Sequence, residues 1–156
     1  MPRVILLVED NENDELLTLR ALKAAAAVAE IIVARDGEAA LNYLFARGEF
    51  SQRNTHELPQ LVILDLNIPK IDGMGVLEAL RKSPDTKMLP IVILTSSKDQ
   101  RDIEKAYALG VNAYVQKPIS STEFTKTCEA IGAFWLNSNQ NYYMSNAFSR
   151  DHYSAI

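Results

Sequence analysis

The chain has 156 residues, a formal net charge of −4 and a single cysteine. That length fits one domain on a prior of roughly 100–200 residues per domain. A lone Cys128 excludes a disulfide framework or a Cys-based metal site, and the lack of any Lys/Arg run excludes the basic face that nucleic acid requires.

Met1-Pro2-Arg3 leads straight into an apolar run, unlike a signal peptide. No apolar stretch approaches the ~20 residues of a membrane span, so a soluble cytoplasmic protein is expected. Short strand-like runs then alternate with helical patterns five times, which predicts βαβ units around a parallel sheet. Val4–Val8 is the first run, and a helix over 13–28 follows, opening with Asp14 and Glu15 where the dipole favours anions. Leu16, Leu19 and Leu22 are expected on its inner face. Glu30–Ala34 is the second strand, and Asp36-Gly37 starts a helix through about Arg47. Residues 48–60 make a polar connection, long against the ~2–6 residues usual between a helix and a strand.

The third strand, Leu61–Leu64, ends at Asp65; Asn67-Ile68-Pro69-Lys70 is a turn, and Asp72-Gly73 opens a helix bearing Val76, Leu77 and Leu80. After a loop over 83–90, the fourth strand Ile91–Leu94 ends at Thr95. A helix over 98–109 follows, with Gly110 as its stop. Ala113-Tyr114-Val115 precedes Lys117, and Ser120-x-x-Glu123 is a capping box. The stripe Phe124, Cys128, Ile131, Trp135 keeps a helical period and makes Cys128 a core residue. Strands this apolar are buried on both faces, and right-handed crossovers give a doubly wound, three-layer α/β sandwich.

In an open parallel sheet, strand C-terminal ends share one edge, where ligands bind. Glu9, Asp10, Asp65, Thr95 and Lys117 all fall at such ends. A strand-end Asp alone commonly caps a turn, a Thr commonly favours a strand and a Lys is commonly solvated; their convergence is what points to chemistry. Clustered carboxylates repel by roughly 1–4 kcal/mol per pair at ~4 Å, which a hard cation between them relieves. Mg2+ takes oxygen ligands, here Asp10 and Asp65 with the Asn67 backbone carbonyl. A carboxylate is also a nucleophile toward phosphorus, and Mg2+, the Lys117 ammonium and the Thr95 hydroxyl would share the oxygens of a transferring phosphoryl group.

Val8-Glu9-Asp10-Asn11, Leu64-Asp65-Leu66-Asn67-Ile68-Pro69 with Asp72-Gly73, Leu94-Thr95-Ser96 and Tyr114-Val115-Gln116-Lys117-Pro118 together resemble the receiver domain of two-component response regulators. The resemblance covers about residues 3–136 and implies a flavodoxin-like five-stranded sheet of order 2-1-3-4-5. It implies that Asp65 accepts phosphate from a histidine kinase, and that Glu9 and Asp10 hold Mg2+ with Asn67 lending its carbonyl. It further implies that Thr95 swings toward the phosphoryl group with Tyr114 turning inward behind it, and that Lys117 binds the phosphate beside a cis peptide to Pro118. Asn67 and Ser97 fall where relatives tune dephosphorylation. Such a protein catalyses its own phosphorylation and dephosphorylation and is not a classical enzyme. The Glu-Asp-Asn-x-x-Asp start, the long loop before the third strand and the extended C-terminus are similar to stand-alone regulators that partner cyanobacterial and bacterial phytochromes, which form homodimers.

Other readings fit less well. A dinucleotide-binding domain needs Gly-x-Gly-x-x-Gly after the first strand, where this chain has Glu-Asp-Asn. An Asp-nucleophile phosphohydrolase wants a second acid two residues on, where Asn67 stands. A receiver-like module that binds a partner without phosphorylation would show a degraded pocket, and this one is complete. About 20 residues after the fifth helix are too few for a DNA-binding domain, so output is expected through protein contacts at the fourth helix, fifth strand and fifth helix. Taking 1–136 as the receiver domain leaves 137–156 as an aromatic extension. Residues 134–153 hold Phe134, Trp135, Tyr142, Tyr143, Phe148 and Tyr153, half the chain's aromatics, which implies packing on the body or on another subunit. His56 and His152 read as solvated.

Overall fold

The apolar runs form five parallel strands, β1 (Val4–Val8), β2 (Glu30–Ala34), β3 (Leu61–Leu64), β4 (Ile91–Thr95) and β5 (Ala113–Gln116), in the order β2-β1-β3-β4-β5. The structure is a computed structural model and describes residues 3–25 and 30–143. Helices α1 (Glu12–Ala25) and α5 (Ser121–Gly132) cover one face of the sheet. Helices α2 (Gly37–Leu44), α3 (Gly73–Lys82) and α4 (Gln100–Leu109) cover the other. The central strands β3 and β4 are buried along their whole length, as their unbroken Val/Ile/Leu runs require, while the edge strands β2 and β5 are mostly half-buried. Val8 pairs with Leu64, so the next residues, Glu9 and Asp65, emerge side by side.

The expected helix boundaries hold where a capping residue sets them. Asp72 accepts from Gly75 N at 2.8 Å, Ser120 accepts from Glu123 N at 3.4 Å, and Gly110 at φ 99° ends α4. They shift where local geometry intervenes. The second helix stops at Leu44 rather than Arg47, because Ala46 and Gly48 take left-handed φ values of 53° and 56°. The fourth starts at Gln100, capped by Asp99, rather than at Lys98. On α1 the buried stripe is Glu15, Thr18, Ala21 and Leu22. Leu16 was expected inside but is 50% exposed, being about 100° round the helix from Glu15.

The long connection is ordered by Arg53. Its guanidinium lies 3.9 Å from the Tyr43 ring centroid and donates to the Tyr43 carbonyl and, at 2.6 Å, to that of Glu57. His56 is exposed, as expected.

Beyond α5 a π-helical turn, Ala133–Ser138, buries Leu136. The chain then runs along the opposite edge of the sheet from the strand-end acids. Gln60 Nε2 donates to Leu136 O at 3.3 Å, Asn141 Nδ2 to Gln60 O at 2.9 Å, and Met88 N to the Tyr143 hydroxyl at 3.1 Å. Residues 137–143 thus pack on the body, with Phe134 and Tyr142 about half exposed. Phe148, His152 and Tyr153 lie outside the described residues.

Cys128 is fully buried in the core under α5, and burial pushes its thiol up to about 11. The unfolded chain releases this proton from about pH 9, whereas the fold retains it. Stability therefore falls as pH rises between those values, by roughly 2–3 kcal/mol. Urea melts at pH 8 and pH 10.5 should show the loss, and Cys128→Ala should shrink it.

Candidate functional site

Four segments build the mouth. The backbone of Glu9 continues β1, its N donating to Ala34 O at 3.0 Å, and Asp65 N donates to Val8 O at 3.0 Å. Both carboxylates are therefore fixed by sheet hydrogen bonds and buried. The β3–α3 turn folds back closely: a Cβ on Gly73 would lie 2.4 Å from the Asp65 carbonyl oxygen. Only glycine therefore permits α3 to begin there, bringing its N-terminus against the acid. From β5, Lys117 N donates to Thr95 O at 2.7 Å, so the chain leaves the sheet still attached to β4.

The Lys117 ammonium ends among three carboxylates, 2.6 Å from Glu9 Oε1, 2.7 Å from Asp65 Oδ2 and 2.8 Å from Asp14 Oδ2. An ammonium has three donors, and all three are used. Burial alone would lower its proton affinity, but the hydrogen bonds it donates to Asp14, Asp65 and Glu9 outweigh this and raise it. Burial likewise pushes the Glu9 carboxyl up to about 7, opposed by its bond to Lys117 and reinforced by the Asp65 charge. Glu9 Oε2 also accepts from Asp10 N at 3.1 Å.

The donor set suits a hard cation. Carboxylate oxygens of Glu9, Asp10 and Asp65 lie within 4.8 Å of one another. Glu9 and Asp65 are buried and Asp10 is exposed, so the cluster opens to water on one side, as a metal that keeps several waters needs. Asn67 follows in an exposed turn, its N donating to Asp65 Oδ1 at 3.3 Å.

Thr95 and Tyr114 flank the mouth through a shared neighbour. Thr95 is fully buried and its hydroxyl accepts from Ser97 N at 3.4 Å, while the half-buried Tyr114 donates to Ser97 O at 2.9 Å. Ser97 Oγ in turn donates to Asp102 at 2.6 Å, tying the start of α4 to the strand ends.

One expectation fails and one residue is new. The resemblance implied a cis bond between Lys117 and Pro118, but no peptide bond among the described residues is cis. Trans is the lower-energy X–Pro isomer by about 0.5–1 kcal/mol, and from it Lys117 already reaches its three partners. Asp14, read in the sequence as a helix-dipole residue and as the last acid of the Glu-Asp-Asn-x-x-Asp start, is a direct partner of Lys117. Its place in the first turn of the helix that leaves the acidic pair was the available signal.

A parallel sheet with acids at adjacent strand ends, faced by a lysine after the last strand, defines a class of phosphate- and metal-handling α/β domains. Residues 5–129 match the model of the response regulator receiver domain, and the chain belongs to that family. It is 40% identical over 135 residues to response regulator Rcp1 of Synechocystis sp., spanning 86% of this chain and 90% of that protein. The crystal structure of the Mn(2+)-bound form of Rcp1 superposes with a TM-score of 0.84 at 38% identity, over 90% of this chain and 99% of that one. That of the phosphorylated cyanobacterial phytochrome response regulator RcpA gives 0.83 at 36%, over 90% and 98%. The bacteriophytochrome response regulator AtBRR gives 0.70 at 43%, over 90% and 99%. This chain is thus a receiver-domain response regulator related to phytochrome response regulators. No helix among the described residues is long and apolar enough to cross a membrane.

Removing Lys117 would leave buried carboxylates facing one another. Lys117→Met should lower the stability of the metal-free protein by roughly 3 kcal/mol, with millimolar Mg2+ recovering part of it. Thermal melts with and without Mg2+ measure both effects.

Proposed function

We propose that the chain accepts a phosphoryl group on Asp65 from the phosphohistidine of a histidine kinase. The observation that carries this reading is the buried Asp65 carboxylate, held 2.7 Å from the Lys117 ammonium and within the three-carboxylate cluster. Asp65 is the nucleophile: its oxygen forms the P–O bond as the P–N bond to the donor imidazole breaks. Lys117 donates to a phosphoryl oxygen as a point charge, and the Thr95 hydroxyl, at the end of the neighbouring strand, donates to another. Glu9, Asp10, Asp65 and the Asn67 carbonyl would hold Mg2+, which when bound neutralises charge on the phosphoryl oxygens. The chain then promotes its own phosphorylation and hydrolysis without turning over a separate substrate.

The added charge of about −1.5 to −2 would act on Thr95, Ser97 and Tyr114, whose mutual hydrogen bonds reach α4. The output surface is then α4, β5 and α5, read by a downstream protein partner. The kinship with Rcp1, RcpA and AtBRR favours a phytochrome-type sensor kinase as donor, a cytoplasmic setting and a homodimer. The half-exposed Phe134 and Tyr142 are candidates for the dimer contact.

Incubation with a small phosphodonor and Mg2+ should place a hydroxylamine-labile phosphate on the chain. EDTA should abolish the labelling, and Asp65→Asn should remove it. A wild-type chain unlabelled by several donors and by a permissive histidine kinase would overturn this reading. A beryllofluoride complex with Mg2+ should shift the amide NMR signals of residues 97–125; unmoved signals would refute the output surface.

A further inference from the structure

We infer that Asp14 is a positioning residue for this phosphoryl transfer, holding the Lys117 ammonium in the mouth while Glu9 and Asp65 are otherwise engaged. The inference rests on the acceptor reading above and assigns a role to a carboxylate that reading leaves unused.

The three partners of Lys117 are not equivalent. Glu9 and Asp65 belong, with Asp10, to the set of carboxylates whose oxygens lie within 4.8 Å of one another, and Asp14 does not. A divalent cation in that cluster draws on the two acids that also bind the ammonium, and adds a positive charge beside it. Phosphorylation would then convert Asp65 to an acyl phosphate, moving its negative charge out to the phosphoryl oxygens. The cation would thus compete for the bonds at 2.6 and 2.7 Å, and phosphorylation would remove the carboxylate behind the bond at 2.7 Å. The bond to Asp14 is the one that neither event touches. A buried ammonium that lost its partners would be driven toward water, yet Lys117 is needed at the phosphoryl oxygen.

Asp14 is built to stay in place. Its backbone N donates to the Asn11 side chain at 3.0 Å, and its carbonyl accepts from the Thr18 hydroxyl at 2.7 Å. It stands in the first turn of α1, where the helix dipole favours a carboxylate. Its side chain is 26% exposed, against 4% for Glu9 and 8% for Asp65, so it reaches inward to Lys117 from the rim of the mouth. With Asp14 on one N–H, the ammonium can turn another from Asp65 to an incoming phosphoryl oxygen without leaving the site.

The test uses the full chain, Mg2+ and phosphoramidate as donor, with Asp14→Ala and Asp14→Asn. Asparagine keeps an oxygen that can accept from Lys117; alanine does not. Labelling of Asp14→Ala should slow roughly 10-fold, with Asp14→Asn within about 2-fold of wild type. In the Mg2+-bound protein the slowly exchanging side-chain ammonium NMR signal of Lys117 should be lost in Asp14→Ala and kept in Asp14→Asn, a change that a merely structural residue would not cause. Asp14→Ser, too short to reach Lys117, replaces alanine if that variant melts early. Wild-type labelling of Asp14→Ala, or a retained Lys117 signal, overturns the inference. So does a fall in Mg2+ affinity in Asp14→Asn, which would make Asp14 a metal ligand instead. An unlabelled wild-type chain refutes the acceptor reading itself; a labelled wild type with an equally labelled Asp14→Ala refutes this inference alone.

Discussion

One ammonium holds the top of this molecule together. Lys117 binds carboxylates 108, 103 and 52 residues away in the chain, joining the ends of β1 and β3 and the start of α1 to the segment after β5. Without it, the buried Glu9 and Asp65, brought side by side by the sheet register, would repel one another. The sheet order makes this contact demanding. In the order β2-β1-β3-β4-β5 the lysine starts two strands from Asp65 and three from Glu9, and strands lie about 4.8 Å apart. The bond from Lys117 N to Thr95 O keeps the residue against β4, and a four-carbon stem covers the remaining span. A shorter cation would not bridge it, and an Arg would replace a compact three-donor charge with a planar fork.

The same arrangement divides the fold into a firm part and a yielding part. Helix α3 buries Gly73, Met74, Val76, Leu77 and Leu80, whereas α4 buries only Ala106. At its C-terminal end α4 is gripped by Arg81, which donates to Gly110 O at 2.8 Å, to Asn112 Oδ1 at 2.9 Å and to Leu89 O at 2.8 Å. At its N-terminal end it is held by the Ser97 bonds to Thr95, Tyr114 and Asp102. Those are bonds to polar groups beside the acidic mouth. A charge placed at Asp65 therefore meets the end of α4 with little apolar packing, and such thinly packed segments open at the lowest free energy.

The sequence made the strands, the caps and the polar set legible for separate reasons. Buried parallel strands are unbroken apolar runs, caps are local hydrogen bonds that a few residues specify, and the strand ends of an open parallel sheet converge whatever lies between them. What was not legible depended on contacts remote in the chain or on single dihedrals. Asp14 looked like a dipole residue because the partner that defines it lies 103 positions away. Leucine spacing puts Leu16 inside, whereas the stripe that is buried runs Glu15–Thr18–Leu22. The early end of α2 turns on the positive φ of Ala46, a residue whose type favours helix. The cis bond expected at Pro118 came from resemblance alone, and proline permits either isomer.

The aromatic segment after α5 belongs to the other end of the molecule. Leu136, Asn141 and Tyr143 meet Gln60 and Met88, which precede β3 and β4, while all the acids follow the strands. Strands of four or five residues, at about 3.3 Å each, separate the two edges by the depth of the sheet. The core between them carries no ionised group in β1, β3 or β4, so no charged side chain of those strands links the two edges. The two ends can therefore serve different contacts: the proposed phosphoacceptor and the start of α4 share one edge, and the half-exposed Tyr142 and Phe134 lie toward the other.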